Sequence, residues 1–257
     1  MTGKSVWLQR SPSTTVAGRV FLIPHAGCGT SVFRNWPQEQ ARIEFLPVEL
    51  PGRLTRFTDP MPKTFQDLAA AMLAGLESYL DVPFAFFGHC WSALAAYEAT
   101  VALETLALAG RAETAALDRA DPPRPAGLFV SSLMAPQDEV IGRLMTMNEA
   151  QLAEELEKTV RDMGNRPHPE LVSIYANILR ADLDMSQHYV ASDPGPLSCP
   201  ISAFGWSEDT EVTPAQMTGW AKCGETTLRV LPGQHNRIVD APPDLLDELC
   251  SGLRGGR

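Results

Sequence analysis

Cys90, Asp209 and His235 have the residue types and chain order to carry out nucleophilic catalysis. A thiol attacks a carbonyl carbon once its proton is taken. An imidazole takes that proton, and a carboxylate holds the imidazole in the right tautomer. Each residue has a plainer reading. A free cysteine is most often a buried, inert thiol, and acidic residues and histidines in loops are usually just solvated. What sets these three apart is the apolar, strand-like run that precedes each of them. Glu208 and Glu211 share the loop of Asp209, and Glu208 is the reserve choice for the acid. Asp209 is preferred because Thr210 to Pro214 reads as the start of a helix.

The positioning elements can be read from the flanks. Phe84-Ala85-Phe86-Phe87 is a short bulky run, as a central strand would be. Gly88-His89-Cys90-Trp91-Ser92 is a turn, and Ala93 to Glu98 are mostly good helix formers. Strand, G-x-nucleophile-x-small and helix make the nucleophile elbow of an α/β-hydrolase. The backbone at the nucleophile is strained, so its flanks must be small; Gly88 and Ser92 are those flanks. The helix N-terminus behind Cys90 favours an anionic sulfur. Ile201 to Gly205 is the strand before Asp209. Thr227 to Leu231, closed by Gly233, is the strand before His235. An oxyanion hole takes one N–H from the residue after the nucleophile and one from an early strand-to-loop turn. Trp91 offers the first. Pro24-His25-Ala26-Gly27, after the apolar run Arg19 to Ile23, offers the second at Ala26. His25 and Gly27 of that turn are expected at the substrate, with a structural role favoured over a catalytic one for His25.

Strands alternate with helices along the chain, which predicts a mostly parallel sheet covered by helices. Ser5 to Arg10 is read as a first edge strand, Phe33 to Gln40 as a short helix, and Glu44 to Val48 as a strand. Thr64 is the expected N-cap of a helix with Asp67 three residues on and Leu68, Met72, Leu76 and Leu80 at helical spacing. The elbow helix is expected to run to about Ala120, and Gly127 to Ser132 is the next strand. Residues 139–190 are helical in pattern and hold no strand. They read as a helical lid inserted into a single domain of residues 1–257, with helices over 148–163 and 171–189. Pro214 to Cys223 is a further helix, and the last begins near Pro242.

Hydrophobic content of 44% and charged content of 20% are globular values. The net charge of -10 argues against nucleic acid and anionic membrane as partners. The N-terminus has no apolar signal region, and no window has the length of a membrane span. Five cysteines are scattered without a CxxC pair, which reads as reduced thiols in a cytoplasm. Neither cysteines nor histidines have metal-ligand spacing, so neither a metal nor a cofactor is expected.

FLIPHAG (21–27), LPGR (50–53) with Arg56-Phe57 close behind, GHC (88–90), Asp209-Thr210 with Val212, GQH (233–235) and LRAD (179–182) occur in this order. Together they resemble the type II thioesterases, stand-alone α/β-hydrolases that serve polyketide synthases and nonribosomal peptide synthetases. The resemblance runs from about Val20 to Leu249. It implies substrates held as thioesters on the phosphopantetheine arm of an acyl or peptidyl carrier protein, an acyl-enzyme, and a mobile helical lid; a monomer is expected. The family has serine, methionine and glycine where this chain has Cys90, Trp91 and Ser92, and the stretch 104–124 is longer than usual.

Cysteine changes the chemistry. Attack by Cys90 on a thioester exchanges one thioester for another, so the acyl group stays activated. Delivery to water makes the protein a hydrolase, which is the reading adopted. Delivery to an amine, an internal nucleophile or a second carrier thiol would make it an acyltransferase or cyclase. Trp91 would narrow the pocket and help exclude water. A degenerate scaffold is a third reading, which the retained His235 and its acid oppose. Arg53 and Arg56 are candidates for a basic docking patch, or for pairing with acidic neighbours at the mouth.

Overall fold

The computed structural model describes residues 5–114, 123–138, 142–162, 166–189, 191 and 195–255. The apolar runs of the sequence take the middle of one seven-stranded sheet. Its strands are β1 (Gly18–Ile23), β2 (Glu39–Gln40), β3 (Ile43–Pro47), β4 (Phe84–His89), β5 (Gly127–Ser131), β6 (Leu197–Trp206) and β7 (Gly224–Leu231). They lie in the order β2-β3-β1-β4-β5-β6-β7. All neighbours are parallel except β2 and β3. Both faces are covered, so alternate residues of one strand enter different cores. Phe21 and Ile23 of β1 belong to one apolar cluster, Val20 and Leu22 to the other.

The first cluster lies under α1 (Phe65–Leu76) and α2 (Ser92–Thr114). The N-cap of α1 is as expected: Thr64 Oγ1 accepts from the Asp67 N–H at 3.0 Å. Leu68, Met72 and Leu76 of α1 are buried. In α2, Ala93, Ala95, Ala96 and Ala99 are fully buried, and their small side chains let the helix lie close on the sheet. The second cluster lies under α5 (Pro243–Gly255).

Between β5 and β6 the described residues form a 3-10 turn (Arg143–Thr146) and two helices, α3 (Glu149–Asp162) and α4 (Pro169–Gln187). No strand occurs among them. Both ends of the expected lid, Glu139 and Val190, lie outside the described residues, as does the expected end of the elbow helix near Ala120. Leu152, Leu179 and Leu183 form a small cluster of their own beneath α3 and α4, and Ala26 and Met145 pack against it.

Two expected elements differ. Ser5 to Arg10 is not a strand; a single bridge joins Leu8 to Val48. Trp7 is buried instead against Gly75, where a Cβ would meet its indole at 2.0 Å. Phe33 to Gln40 is not one helix. A 3-10 turn (Thr30–Phe33) ends at its first residue, and Glu39–Gln40 pair with β3 as β2. Pro37 has no N–H to continue a helix. Trp36 is anchored by tertiary contact, its indole donating to the Ile238 carbonyl at 2.8 Å.

Candidate active site

Cys90 follows β4 directly, with φ at +53°. A residue with a side chain rarely adopts that left-handed conformation, and holding one there requires support on all sides. The Cys90 N–H donates to the Ser131 carbonyl of β5 at 2.8 Å, and its carbonyl accepts from the Ala93 N–H at 2.9 Å. Gly88 lets α2 close over the turn: a Cβ there would stand 2.2 Å from the Ser92 carbonyl oxygen. The turn has the strand–turn–helix backbone expected of an elbow.

Asp209 and His235 lie beyond the carboxyl ends of β6 and β7. His235 Nδ1 donates to Asp209 Oδ2 at 2.9 Å. The same oxygen accepts from Ser132 Oγ at 2.8 Å, and Oδ1 accepts from the N–H groups of Glu211 (2.8 Å) and Val212 (3.0 Å). Glu208 is exposed, so the acid beside the histidine is Asp209. Burial opposes the Asp209 charge, but hydrogen bonds from His235 and Val212 outweigh it and hold the carboxyl below its usual value. Burial also opposes a charged His235; the hydrogen bonds to Asp209 and to Cys90 win, and its pKa rises to about 10. The His235 ring leans on His89, with centroids 4.7 Å apart. Burial, followed by the nearness of His235, drives His89 well below the ordinary histidine range and His25 down to about 4. Both shifts favour the neutral rings.

Cys90, His235, Ala26 and Trp91 share a cavity of about 260 Å³. Among the described residues neither the Ala26 nor the Trp91 backbone N–H donates to another protein group. Leu133 comes from the end of β5, Leu144 and Met145 from the 3-10 turn, and Leu183 from α4 to make an apolar wall. The other thiols are differently placed. Burial pushes Cys28, Cys199 and Cys223 up to about 12 and raises Cys250.

A family model described as a thioesterase domain matches residues 18–253. The chain belongs to the thioesterase family. GrsT, the gramicidin S biosynthesis protein of Aneurinibacillus migulanus, is 29% identical over 92% of this chain and 89% of the relative. The thioesterase PikA5 of Streptomyces venezuelae is 27% identical over 96% of this chain and 85% of its own. RedJ, a thioesterase from the prodiginine biosynthetic pathway of Streptomyces coelicolor, is 28% identical. Its solved structure matches with a TM-score of 0.72 over 97% of this chain and 93% of that one. The fold is that of the α/β-hydrolase thioesterases.

Around the elbow of this thioesterase the unusual residues are tied into the structure. Ser92 is fully buried. Its Oγ accepts from the His89 N–H at 2.9 Å and donates to the Ile23 carbonyl at 2.8 Å, joining the elbow to the end of β1. Glycine could make neither bond. A Ser92→Ala variant is expected to lose about 1–3 kcal/mol of stability, because two buried groups lose their partner. Urea unfolding checks this; a change under half that size would show that the bonds are replaced.

Trp91 is buried against Phe65, and its indole N–H donates to the Asp182 carbonyl of α4 at 2.6 Å. The Asp182 carboxylate takes both Nη atoms of Arg53, at 2.8 and 2.9 Å, and the Gly27 N–H at 2.8 Å. Arg53 Nη1 also reaches the Cys28 carbonyl at 3.0 Å. Burial pushes the Asp182 carboxyl up, and Arg53 works against that push.

These contacts bear on four expected residues, and for Arg53 and Arg56 they select pairing with an acidic neighbour over a docking patch. Arg53 is 3% exposed and belongs to an internal ion pair, not to a docking patch. Arg56 pairs with Asp59, donates to the Glu49 carbonyl and lies 4.1 Å over the Trp7 ring. Gly27, expected at the substrate, does not line the cavity; its φ of +72° and its N–H serve the contact with α4. His25 does not line it either, and its Nε2 lies 3.1 Å from Cys28 Sγ. The sequence reading missed Ser132 and Asp182. Ser132 could have been noticed as a hydroxyl at the end of an apolar strand. Asp182 lay inside LRAD, but nothing local shows that it meets Arg53.

Proposed function

We propose that the protein cleaves acyl groups from the phosphopantetheine thiol of a carrier protein of a nonribosomal peptide or polyketide synthase, through an acyl-Cys90 intermediate. The observation that carries this reading is the placement of His235 between Cys90 and Asp209 at the wall of an apolar cavity. The relatives GrsT and RedJ support the carrier-bound substrate by their biosynthetic settings, and PikA5 supports the thioesterase activity by its name.

His235 takes the Cys90 proton as the sulfur attacks the thioester carbonyl carbon, and the carbonyl oxygen becomes an oxyanion facing the Ala26 and Trp91 N–H groups. Collapse breaks the bond to the pantetheine sulfur, which leaves with a proton from the His235 imidazolium. The neutral His235 then takes a proton from water as the water attacks acyl-Cys90. Collapse of the second intermediate releases the acid, and the His235 proton returns to the Cys90 sulfur. Asp209, with Ser132 and two N–H groups fixing it, holds the His235 ring throughout. The expected lid covers this path with its described helices α3 and α4, and α4 is its fixed edge because Asp182 anchors it.

A second reading, acyl transfer or cyclisation, is favoured by the apolar wall and by Trp91, which is pinned at the reacting carbon's side of the cavity. One mass-spectrometric assay decides. An acyl-loaded carrier is mixed with the protein, and both free acid and enzyme mass are followed. Steady release of acid with a transient acyl-Cys90 adduct is expected. An adduct discharged only by a second thiol or an amine would replace hydrolysis by transfer. No adduct in any variant that stalls turnover would overturn the acyl-cysteine reading.

A further inference from the structure

Ser186 of α4 lines the cavity and is only 6% exposed. Its hydroxyl hydrogen-bonds to none of the described residues. A serine or threonine inside a helix can turn its hydroxyl back on the carbonyl four residues earlier. Thr100 and Thr105 of α2 do so, donating to the Ala96 and Val101 carbonyls at 2.9 and 2.8 Å. For Ser186 that carbonyl belongs to Asp182, and the Trp91 indole N–H takes it at 2.6 Å. The helix ladder uses the other lone pair of the same oxygen. Trp91 thus leaves the Ser186 hydroxyl without an acceptor in its own helix. The oxygen is not among the fully enclosed atoms that lack a partner, so it is open to the cavity. The other buried residues of the wall, Trp91, Leu133, Leu183 and Val212, offer no free polar side-chain group.

We infer that Ser186 is a specificity-determining residue whose hydroxyl bonds an oxygen on the acyl chain beyond the thioester carbonyl, so that hydroxyacyl and ketoacyl groups are held in preference to plain alkyl ones. This rests on the reading that the acyl group of the substrate enters the cavity of Cys90. A hydroxyl among apolar side chains loses its water when an alkyl chain fills the cavity, and gains nothing in exchange. An oxygen on the chain replaces that water. A chain hydroxyl can donate or accept, whereas a keto oxygen only accepts, from the Ser186 O–H. A site of this kind discriminates chiefly by the penalty on the chain that leaves its polar group unpaired.

The test titrates pantetheine amides, which the protein cannot cleave, into the full chain by calorimetry. The acyl groups are butanoyl, β-hydroxybutanoyl, γ-hydroxybutanoyl and acetoacetyl, which share one carbon skeleton. At least one oxygenated amide is expected to bind the wild type about threefold or more tightly than the butanoyl amide. In Ser186→Ala that ratio should fall to about one. Which amide gains separates a chain hydroxyl from a keto oxygen. The Ser186 hydroxyl has no protein partner to lose, so Ser186→Ala should melt at the wild-type temperature; a clear drop would reveal a partner and overturn the inference. Butanoyl binding as tight as that of all three oxygenated amides overturns it as well, and so does a ratio that survives in Ser186→Ala. Absence of binding by every amide would overturn entry of the acyl group into this cavity, and the inference with it. Because the amides never acylate Cys90, a failure of the acyl-cysteine chemistry in the mass-spectrometric assay would leave the binding ratio standing.

Discussion

Replacing His235 with alanine is expected to slow acylation of Cys90 by roughly a hundred- to ten-thousandfold, the range for loss of a positioned acid–base group. Without the imidazole the leaving pantetheine sulfur has no proton donor, and the water of the second step has no base. Intact-mass measurement of the acyl adduct after rapid quenching gives the rate. Acylation at the wild-type rate would remove His235 from the mechanism. The same variant carries a pH signature. The His235 pKa is raised from 6.5 to about 10 by its partners, so its pairing stabilises the folded protein fully below the unfolded value. That stabilisation fades as pH rises through about 10. The gap in melting temperature between wild type and His235→Ala should therefore be widest near neutral pH or below it and shrink in alkali. A constant gap would mean that the histidine is not held as an imidazolium.

The second large effect concerns the ion pair beneath α4. Asp182→Ala is expected to cost about 3–5 kcal/mol of stability, because it leaves the Arg53 charge buried without a partner. Arg53 is 3% exposed, so water cannot easily replace the carboxylate. The Gly27 N–H loses its acceptor in the same step. Denaturant unfolding measures the loss, and a value below about 1 kcal/mol would show that the site collapses or fills with water. Replacing both partners by apolar residues, Arg53→Met with Asp182→Leu, should recover much of the loss. Catalysis should suffer in Asp182→Ala even where the protein remains folded. Asp182 sits where α4, the Gly27 turn and the Trp91 indole meet, and Ala26 and Trp91 are the proposed oxyanion donors.

The strand–turn–helix around Cys90, the strand-like run before each of Cys90, Asp209 and His235, and the alternation of strands with helices were legible in the sequence because each is written over a few neighbouring residues. An apolar run, a small flank and a helix-forming stretch mark Cys90 without reference to the rest of the chain. The choice between Asp209 and Glu208 was not legible. Both occupy one loop, and only the folded turn turns Asp209 toward Ser132 and His235 and leaves Glu208 in water. The partner of Arg53 was hidden for a related reason. In sequence it is a charge in a loop, a type that usually stays in water, whereas its partner is 129 residues away on α4. Ser92 reads in sequence only as a small flank in place of glycine, and the structure makes it a tie between the turn and β1. Local spacing records which residues form strand, turn and helix. Which side chains then meet depends on how α4 docks against the sheet and its loops, and that is decided by burial and pairing across the whole chain.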